Sequence, residues 1–330
     1  MSLAPVRPTL LLAALACALP AAVLGDDARD WLSRMEQAVE SLSYEGTFVH
    51  MVGSSLETMH VIHRAVDGQI AERLFSRDQP GREVLRQNDK VTCIFPDQRT
   101  VLVEWRKERR GPLLGSLPQD STEVERWYEF REAGVGRKLG RATQIIEVQP
   151  RDGHRYGHRL WLDQVTAMPL KIQLLDHDGT TVEQIQFVSI ILPAEIPDMR
   201  LLPAVEIDGF TWYEQDRMQA SETAVEGAGW TVEDPPPGFL LTESRIRTLP
   251  GSDHAVDHVV FSDGLASVSV FVEPSDATDE GLAGLSRMGA ANAFTIILDG
   301  RQITAVGEVP PGTVEQIARS LRAAAEATAH

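Results

Sequence analysis

The stretch at residues 141–187, RATQIIEVQPRDGHRYGHRLWLDQVTAMPLKIQLLDHDGTTVEQIQF, decides the fold of this chain. It holds four short runs rich in Ile, Val, Leu, Trp and Phe, which are separated by three turn segments at residues 150–153, 163–169 and 176–179. Asp-Gly between alternating apolar runs is a strong hairpin signal. Leu170, Ile172 and Leu174 alternate with polar residues, which predicts an antiparallel sheet with one apolar face and one wet face. Another part of the chain has to bury the apolar face.

An amphipathic helix predicted over residues 27–42 is suited to burying that face. Its apolar side chains follow the i, i+3, i+4, i+7 spacing of a helical stripe and comprise Ala28, Trp31, Leu32, Met35, Ala38, Val39 and Leu42. Asp26 or Asp27 can cap its first turn. The stripe is broad and is led by Trp31, as expected for a helix that lies on a sheet.

Between this helix and the opening stretch, alternating runs predict further strands at residues 44–52, 56–66, 69–76, 82–87, 91–95, 100–105 and 127–134. A short helix is predicted at residues 121–127, and a turn at residues 134–140. Most connections have two to five residues, so sequential antiparallel neighbours are expected. About ten strands therefore form one strongly curved sheet with helical cover, and residues 208–213 are a candidate for one more strand.

The composition changes after residue 189, and the polar, acidic segment 214–229 predicts a linker between two domains. The second domain, residues 230–330, is predicted to be a small α+β unit. Its strands are expected at residues 239–248, 256–262, 265–273, 294–298 and 302–309, with a loop over residues 274–293. A last helix begins at residues 312–313, where Thr313 and Gln316 fit a capping box.

The amino terminus has the features of a secretory signal, with a charged Arg7, an apolar core at residues 9–19 and small residues before an acidic start. We expect residues 1–25 to be removed, which leaves a soluble exported protein. A short amino-terminal anchor and acylation at Cys17 are the alternatives. The mature chain keeps only Cys93, which cannot form an internal disulfide and is expected to be a buried, inert thiol.

The 330 residues carry a net charge of −17. Such an acidic surface disfavours binding of nucleic acid and of anionic headgroups, but it does not exclude a local basic patch. The densest basic run, RKERR at residues 106–110, is either a solvated strand end or a contact for anionic groups. No catalytic or phosphate-binding motif is present, and His154 and His158 around one turn are weak evidence for a metal site. We therefore predict no enzymatic activity, no cofactor and no metal.

Many large apolar side chains lie on a sheet that has little helix to cover it. A curved sheet of this kind can leave a concave apolar cavity for a lipid acyl chain, and a fully packed core is the alternative. The candidate cavity residues are Trp31, Phe48, Leu160, Leu170, Ile172 and Leu174.

The sequence resembles the RseB/MucB family, the periplasmic negative regulators of the envelope-stress sigma factor in Gram-negative bacteria. The resemblance runs in order through nearly all of the mature chain. In the first domain it rests on DWLSRMEQA at 30–38, YEGTFVH at 44–50, HVIHR at 60–64, WYEF at 127–130 and VQPRDGHRYGHRLWLD at 148–163. In the second domain it rests on PPGFLLTES at 236–244, FSDGLASVSVFVEP at 261–274 and ITAVGEVPPGT at 303–313.

This resemblance implies a half-open antiparallel β-barrel similar to LolA-type lipoprotein carriers over residues 26–213, followed by the smaller domain. It implies a partner, the periplasmic segment of a membrane anti-sigma factor, which the protein shields from site-1 proteolysis. Lipid, lipopolysaccharide or mislocalised lipoprotein is expected to release it. A lipid or lipoprotein carrier is the alternative function, an exported hydrolase is a third, and a homodimer is left open.

The family pattern does not assign individual contacts. We expect the partner to bind the second domain, with candidate contacts Phe239, Arg245, Phe261, Asp263 and Phe271.

Overall fold

The computed structural model describes residues 27–78, 81–105, 124–214, 229–248, 255–275 and 283–323. The predicted signal segment, the basic run at 106–110 and nearly all of the predicted linker lie outside the described residues.

The first sheet has twelve strands among the described residues and follows helix α1 (Ala28–Ser41). Its strands are β1 (Tyr44–Val52), β2 (Ser55–Val66), β3 (Gln69–Ser76), β4 (Glu83–Gln87), β5 (Lys90–Phe95), β6 (Thr100–Trp105), β7 (Tyr128–Lys138), β8 (Arg141–Pro150), β9 (Gly157–Asp163), β10 (Pro169–Leu175), β11 (Thr181–Ile191) and β12 (Thr211–Glu214). They lie in the order β12-β6-β5-β4-β3-β2-β1-β11-β10-β9-β8-β7. The opening stretch forms β8 to β11, which pair antiparallel in sequence as predicted.

Two features of this sheet were not predicted. Strand β1 pairs with β11, which joins the meander β1–β6 to the meander β7–β11, so β6 and β7 lie near opposite ends of the sheet. Strand β12 pairs with β6 in parallel rather than antiparallel. Both pairings join residues that are far apart in the sequence, and local patterns carry no information about them.

The prediction that strand β7 ends in a turn at Gly134 was wrong. The strand continues to Lys138, and the register shifts between Glu132 and Gly134. Gly134 has φ +106°, a conformation that glycine adopts easily, so the residue forms a bulge within the strand and does not end it. The turn itself is only Leu139–Gly140.

Helix α1 confirms its prediction, since Asp27 is the N-cap and its side chain accepts a hydrogen bond from the Arg29 backbone. Its buried face joins residues of the sheet in one apolar cluster, which includes Trp31 and Met35 from the helix and Phe48, Leu160 and Leu170 from the strands. The predicted short helix is a single 3-10 turn, Val124–Arg126, in its described part.

The second domain has a six-stranded antiparallel sheet with the order β14-β15-β16-β19-β18-β17 and a small two-stranded sheet, β13-β20. Its strands are β13 (Trp230–Val232), β14 (Leu240–Thr248), β15 (Ala255–Ser262), β16 (Ser267–Pro274), β17 (Gly284–Met288), β18 (Ala291–Leu298), β19 (Arg301–Gly307) and β20 (Leu321–Ala323), and helix α2 (Pro311–Ser320) precedes β20. Strand β17 lies within residues 274–293, so the prediction of a loop over this whole segment was wrong. The described chain is therefore mostly β-sheet with few helices.

The predicted capping box of the last helix was also wrong. The N-cap is Pro310, and no side chain caps the helix. The Thr313 hydroxyl instead donates a 2.8 Å hydrogen bond to the His154 carbonyl in the first domain, and Gln316 donates to the Asp234 carbonyl. Both side chains that could have capped the helix therefore form hydrogen bonds with more distant parts of the chain.

Candidate functional site at the junction of the two domains

The predicted lipid-cavity residues lie in two places. Trp31, Phe48, Leu160 and Leu170 are each at most 7% exposed and belong to the cluster around α1, with Ile172 packed against its edge. Leu174 lies elsewhere, in a small cluster with Tyr156, Val182 and Ala290 of the second domain. Five of the six side chains thus share one apolar region, and the sixth faces the junction between the domains.

Three of the five predicted partner contacts are buried, and the other two are half-buried. Phe239, Phe261 and Asp263 are buried, at 1%, 3% and 5% exposure. Arg245 forms an ion pair with Glu243, and Phe271 stacks on His258 at 4.6 Å between ring centroids. The three buried residues offer a partner no surface in this conformation. Two of them, Phe239 and Asp263, contact the first domain instead.

A buried ion pair joins the two domains. The Arg155 side chain, in the loop between β8 and β9, is 0% exposed, and its Nη1 donates to Asp263 Oδ2 at 2.6 Å, where the Asp263 side chain is also 0% exposed. Tyr128 Oη donates to the same oxygen at 3.0 Å, and Arg155 Nε donates to Asp152 at 2.9 Å. The remaining guanidinium nitrogen donates to the Pro237 carbonyl. Burying two charges costs several kcal/mol, so such a pair persists only when its hydrogen bonds are satisfied, as they are here.

Aromatic rings enclose the Arg155 guanidinium from both domains. The guanidinium carbon, Cζ, lies 5.1 Å from the ring centroid of Trp127, 5.5 Å from that of Tyr128 and 5.2 Å from that of Phe239. Guanidinium over an aromatic face is a favourable cation–π arrangement, and it is stronger away from water. The Arg155 side chain therefore fixes the position of the second domain through both charge and stacking.

The local sequence explains how Asp263 is presented. Asp263 and Gly264 form the turn between β15 and β16, and Gly264 has φ +96°. The other carboxylate oxygen, Oδ1, accepts hydrogen bonds from the backbone of Leu265 and Ala266 at 2.8 and 2.7 Å. One oxygen of Asp263 thus holds its own turn while the other reaches across to Arg155.

A second set of contacts lies beside this ion pair. Asn292 Nδ2 donates to Tyr156 Oη at 3.1 Å and to the Val309 carbonyl at 2.8 Å. A cavity of about 270 Å³ is lined by Tyr128, Tyr156 and His158 from the first domain and by residues of β16, β18 and β19 from the second. His158 Nδ1 is buried without a hydrogen-bond partner among the described residues, and burial lowers the pKa of His158 to about 4. The imidazole is therefore neutral at pH 7.

Carboxylates of both domains approach each other near this cavity. His50 Nε2 lies 2.5 Å from Glu183 Oε1, and this hydrogen bond raises the pKa of His50. Glu308, just after β19, lines the cavity, and its pKa is raised by burial and then by the nearby Glu183 charge. Closing the junction thus disfavours the charged form of Glu308. Among the described residues, no group of three or more His, Cys, Asp or Glu side chains could hold a metal ion.

Comparison with known proteins assigns the chain. The sequence pattern described as the MucB/RseB N-terminal domain matches residues 27–205, and the pattern described as the MucB/RseB C-terminal domain matches residues 207–322. The chain belongs to the MucB/RseB family. This confirms the resemblance inferred from the sequence.

Members of the MucB/RseB family that are similar to this chain carry names of regulatory proteins. The sigma factor AlgU regulatory protein MucB of Pseudomonas aeruginosa is 34% identical over 309 residues, which covers 91% of this chain and 92% of that protein. The sigma-E factor regulatory protein RseB of Salmonella typhimurium is 28% identical over 308 residues, with 88% and 89% coverage. A crystal structure of MucB in complex with MucA(peri) superposes with a TM-score of 0.68 and 32% identity, and covers 91% of this chain and 100% of that one.

Sequence reasoning missed Arg155, the residue that joins the two domains. It lies in a turn segment rich in charged residues and glycine, where an arginine is normally solvated. The aromatic residues that enclose it come from positions 127, 128 and 239, so no local signal could identify them. In the part of this MucB/RseB chain that the structure describes, no helix is long and apolar enough to cross a membrane.

Proposed function

We propose that this chain is a periplasmic regulatory protein that binds the periplasmic segment of a membrane anti-sigma factor and shields it from site-1 proteolysis. The superposition with MucB in its complex with MucA(peri), over 91% of the chain, carries this proposal. The proposed organisation is a signal segment at residues 1–25, a lipid-sensing domain at 26–213, a linker at 214–229 and a partner-binding domain at 230–330. A simple lipid carrier would have no use for a second domain that matches the family pattern over residues 207–322.

Calorimetric titration tests this function directly. The mature chain is titrated with the periplasmic segment of the membrane anti-sigma factor encoded in the same genome. We expect saturable binding of one segment per chain, and protection of the segment from a site-1 protease in a cleavage assay. A scrambled segment of the same composition is the control. Absence of binding by the folded mature chain would refute the proposal.

The first sheet is further proposed to form a half-open barrel around helix α1. The helix contacts both β2 and β7, which are six strand steps apart in the sheet. In a flat sheet these strands would lie about 29 Å apart, at about 4.8 Å per step. Helix α1 has 14 residues and is about 21 Å long at about 1.5 Å per residue, which is shorter than this separation, so contact with both strands favours a sheet that curls around it.

Lipid is proposed to release the partner by linkage between two sites. An acyl chain would enter the apolar region around Trp31, Phe48 and Leu170, and it can do so only if α1 moves, because these side chains are packed in one cluster. Lipid causes release only if it binds the partner-free form more tightly. We expect the affinity for a fluorescent fatty acid to fall when the anti-sigma segment is present. Equal affinity with and without the segment would contradict this mechanism.

A further inference from the structure

Two of the four lysines in the chain flank a single tryptophan on the outer face of the first sheet. The ammonium nitrogen of Lys171 lies 4.6 Å from the Trp161 ring centroid, and that of Lys138 lies 5.3 Å away. Lys171 pairs with Trp161 across β10 and β9, and Lys138 is the last residue of β7. Neither ammonium has a carboxylate partner among the described residues. Both positive charges are therefore available to an outside anion.

The surroundings of this tryptophan are basic in a chain that is strongly acidic. The strand ends around it carry the cations Lys138, Arg141, Arg159 and Lys171 and the carboxylates Glu147 and Asp163, whereas the whole chain has a net charge of −17. The nearby carboxylates are engaged: Glu147 pairs with Arg159 at 2.7 Å, and Asp163 pairs with Arg141 at 3.3 Å. Burial, followed by the charges of Lys138 and Arg159, lowers the pKa of Lys171. An anion near these cations would relieve their mutual repulsion.

Exposed aliphatic side chains lie at the same end of the sheet. Leu139, in the turn between β7 and β8, is 42% exposed, and Val165, in the turn between β9 and β10, is 84% exposed. A 3.0 Å hydrogen bond from the Gln164 backbone to the Ala142 carbonyl holds the two turns side by side. Val135, near the end of edge strand β7, is 71% exposed. We name this end of the sheet, comprising Leu139, Val165, Lys138, Lys171 and Trp161, the basic tip.

Aliphatic side chains that protrude from a basic rim with an amphipathic tryptophan are the combination that binds lipid interfaces. The cations are drawn to an anionic surface, the aliphatic groups enter the boundary of headgroups and acyl chains, and indole favours that depth. An acidic peptide would also meet the charges but would leave Leu139 and Val165 without a partner. From this combination we propose that the basic tip docks the protein on the surface of an anionic phospholipid membrane. This inference does not depend on the proposed anti-sigma partner.

Co-sedimentation of the mature chain with vesicles tests the proposal. The vesicles contain either phosphatidylglycerol with phosphatidylethanolamine or phosphatidylcholine alone. We expect partitioning onto the anionic vesicles only, weakened by salt. Removal of one lysine near an anionic surface should lower the partition coefficient about fivefold, so Lys138→Gln with Lys171→Gln should lower it about 25-fold. Leu139→Ser with Val165→Ser should weaken binding without changing its salt dependence.

Lys90→Gln is the matched control for Lys171→Gln. Lys90 is also a lysine beside a tryptophan, 5.8 Å from the Trp105 ring, but it lies on β5, away from the basic tip. The control should partition like the wild type, and circular dichroism should show every variant folded. Equal binding to both kinds of vesicle, or equal loss in Lys90→Gln and Lys171→Gln, would overturn the proposal. Tight, lysine-dependent binding of inorganic phosphate by a chain that does not bind vesicles would also overturn the proposal, because it would indicate a site for a free ion.

Discussion

Replacement of Arg155 by Met tests whether the buried ion pair holds the two domains together. In the wild type both side chains of the pair are 0% exposed, and the Arg155–Asp263 distance is 2.6 Å. Methionine keeps much of the apolar stem but leaves Asp263 Oδ2 buried with Tyr128 as its remaining donor. Removing one partner of a buried pair costs about 3–5 kcal/mol. We therefore expect the Arg155→Met variant to lose about this much of its free energy of unfolding.

Urea unfolding followed by far-UV circular dichroism and by tryptophan fluorescence measures this loss. If the pair couples the domains, the variant should unfold in two separate transitions where the wild type unfolds in one. Asp263→Asn is a second variant, because an amide oxygen can still accept from Leu265 and Ala266 while the charge is removed. The double variant, Arg155→Met with Asp263→Asn, should lose less free energy of unfolding than the two single variants lose together, since no uncompensated charge remains.

Glu315→Ala is the matched control. Glu315 pairs with Arg319 on α2, but these side chains are 45% and 53% exposed, so the expected loss is only about 0.5 kcal/mol. If Arg155→Met unfolds within about 1 kcal/mol of the wild type, in one unchanged transition, the ion pair does not determine the junction. The apolar contacts around the ion pair would then be what holds the two domains together.

Three further perturbations probe the same junction. Gly238→Ala should lower the free energy of unfolding by about 2 kcal/mol or more in the same urea assay. Gly238 has φ +85°, and an added Cβ would lie within 3 Å of the Trp127 ring. Glu308→Gln should raise Tm at pH 8 but not at pH 4: burial and Glu183 raise the pKa of Glu308, so its ionisation above that pKa weakens the folded state. His158 has a pKa of about 4, below its unfolded value, so its protonation in the unfolded chain should cost the folded state about 2 kcal/mol between pH 7 and pH 5, and His158→Gln should gain about that much stability relative to the wild type over this range.

Most strands of the first sheet could be predicted because their information is local. Strand β1 begins and ends where the alternation of residues 44–52 begins and ends, and the Asp67–Gly68 turn separates β2 from β3 as expected. Gly134 shows the limit of such reasoning. A glycine between two alternating runs is equally compatible with a turn and with a bulge, and only the partner strand β8 decides between them.

The candidate site could be predicted only in part because it is assembled by long-range contacts. Asp263 was predicted as a contact for the external partner, whereas the structure buries it at the junction against Arg155, which is 108 residues away in the sequence. Thr313 shows the same effect, since its sequence context favours a local helix cap while its hydroxyl bonds the first domain. Sequence patterns describe what a residue can do locally, and tertiary contacts offering better partners override them.

The basic tip and the junction lie at opposite ends of strand β8, which runs from Arg141 at the tip to Pro150 near Arg155. Nine residue steps at about 3.3 Å each separate these ends by about 30 Å. If the tip rests on the membrane, a partner anchored in that membrane needs about nine extended residues to reach the second domain. Shortening its tether below this length should weaken binding on phosphatidylglycerol vesicles but not in solution, measured with the same segment in both settings. If the shorter tether weakened binding equally in solution, the tether itself would contact the protein. The proposed distance between the membrane and the second domain would then be refuted.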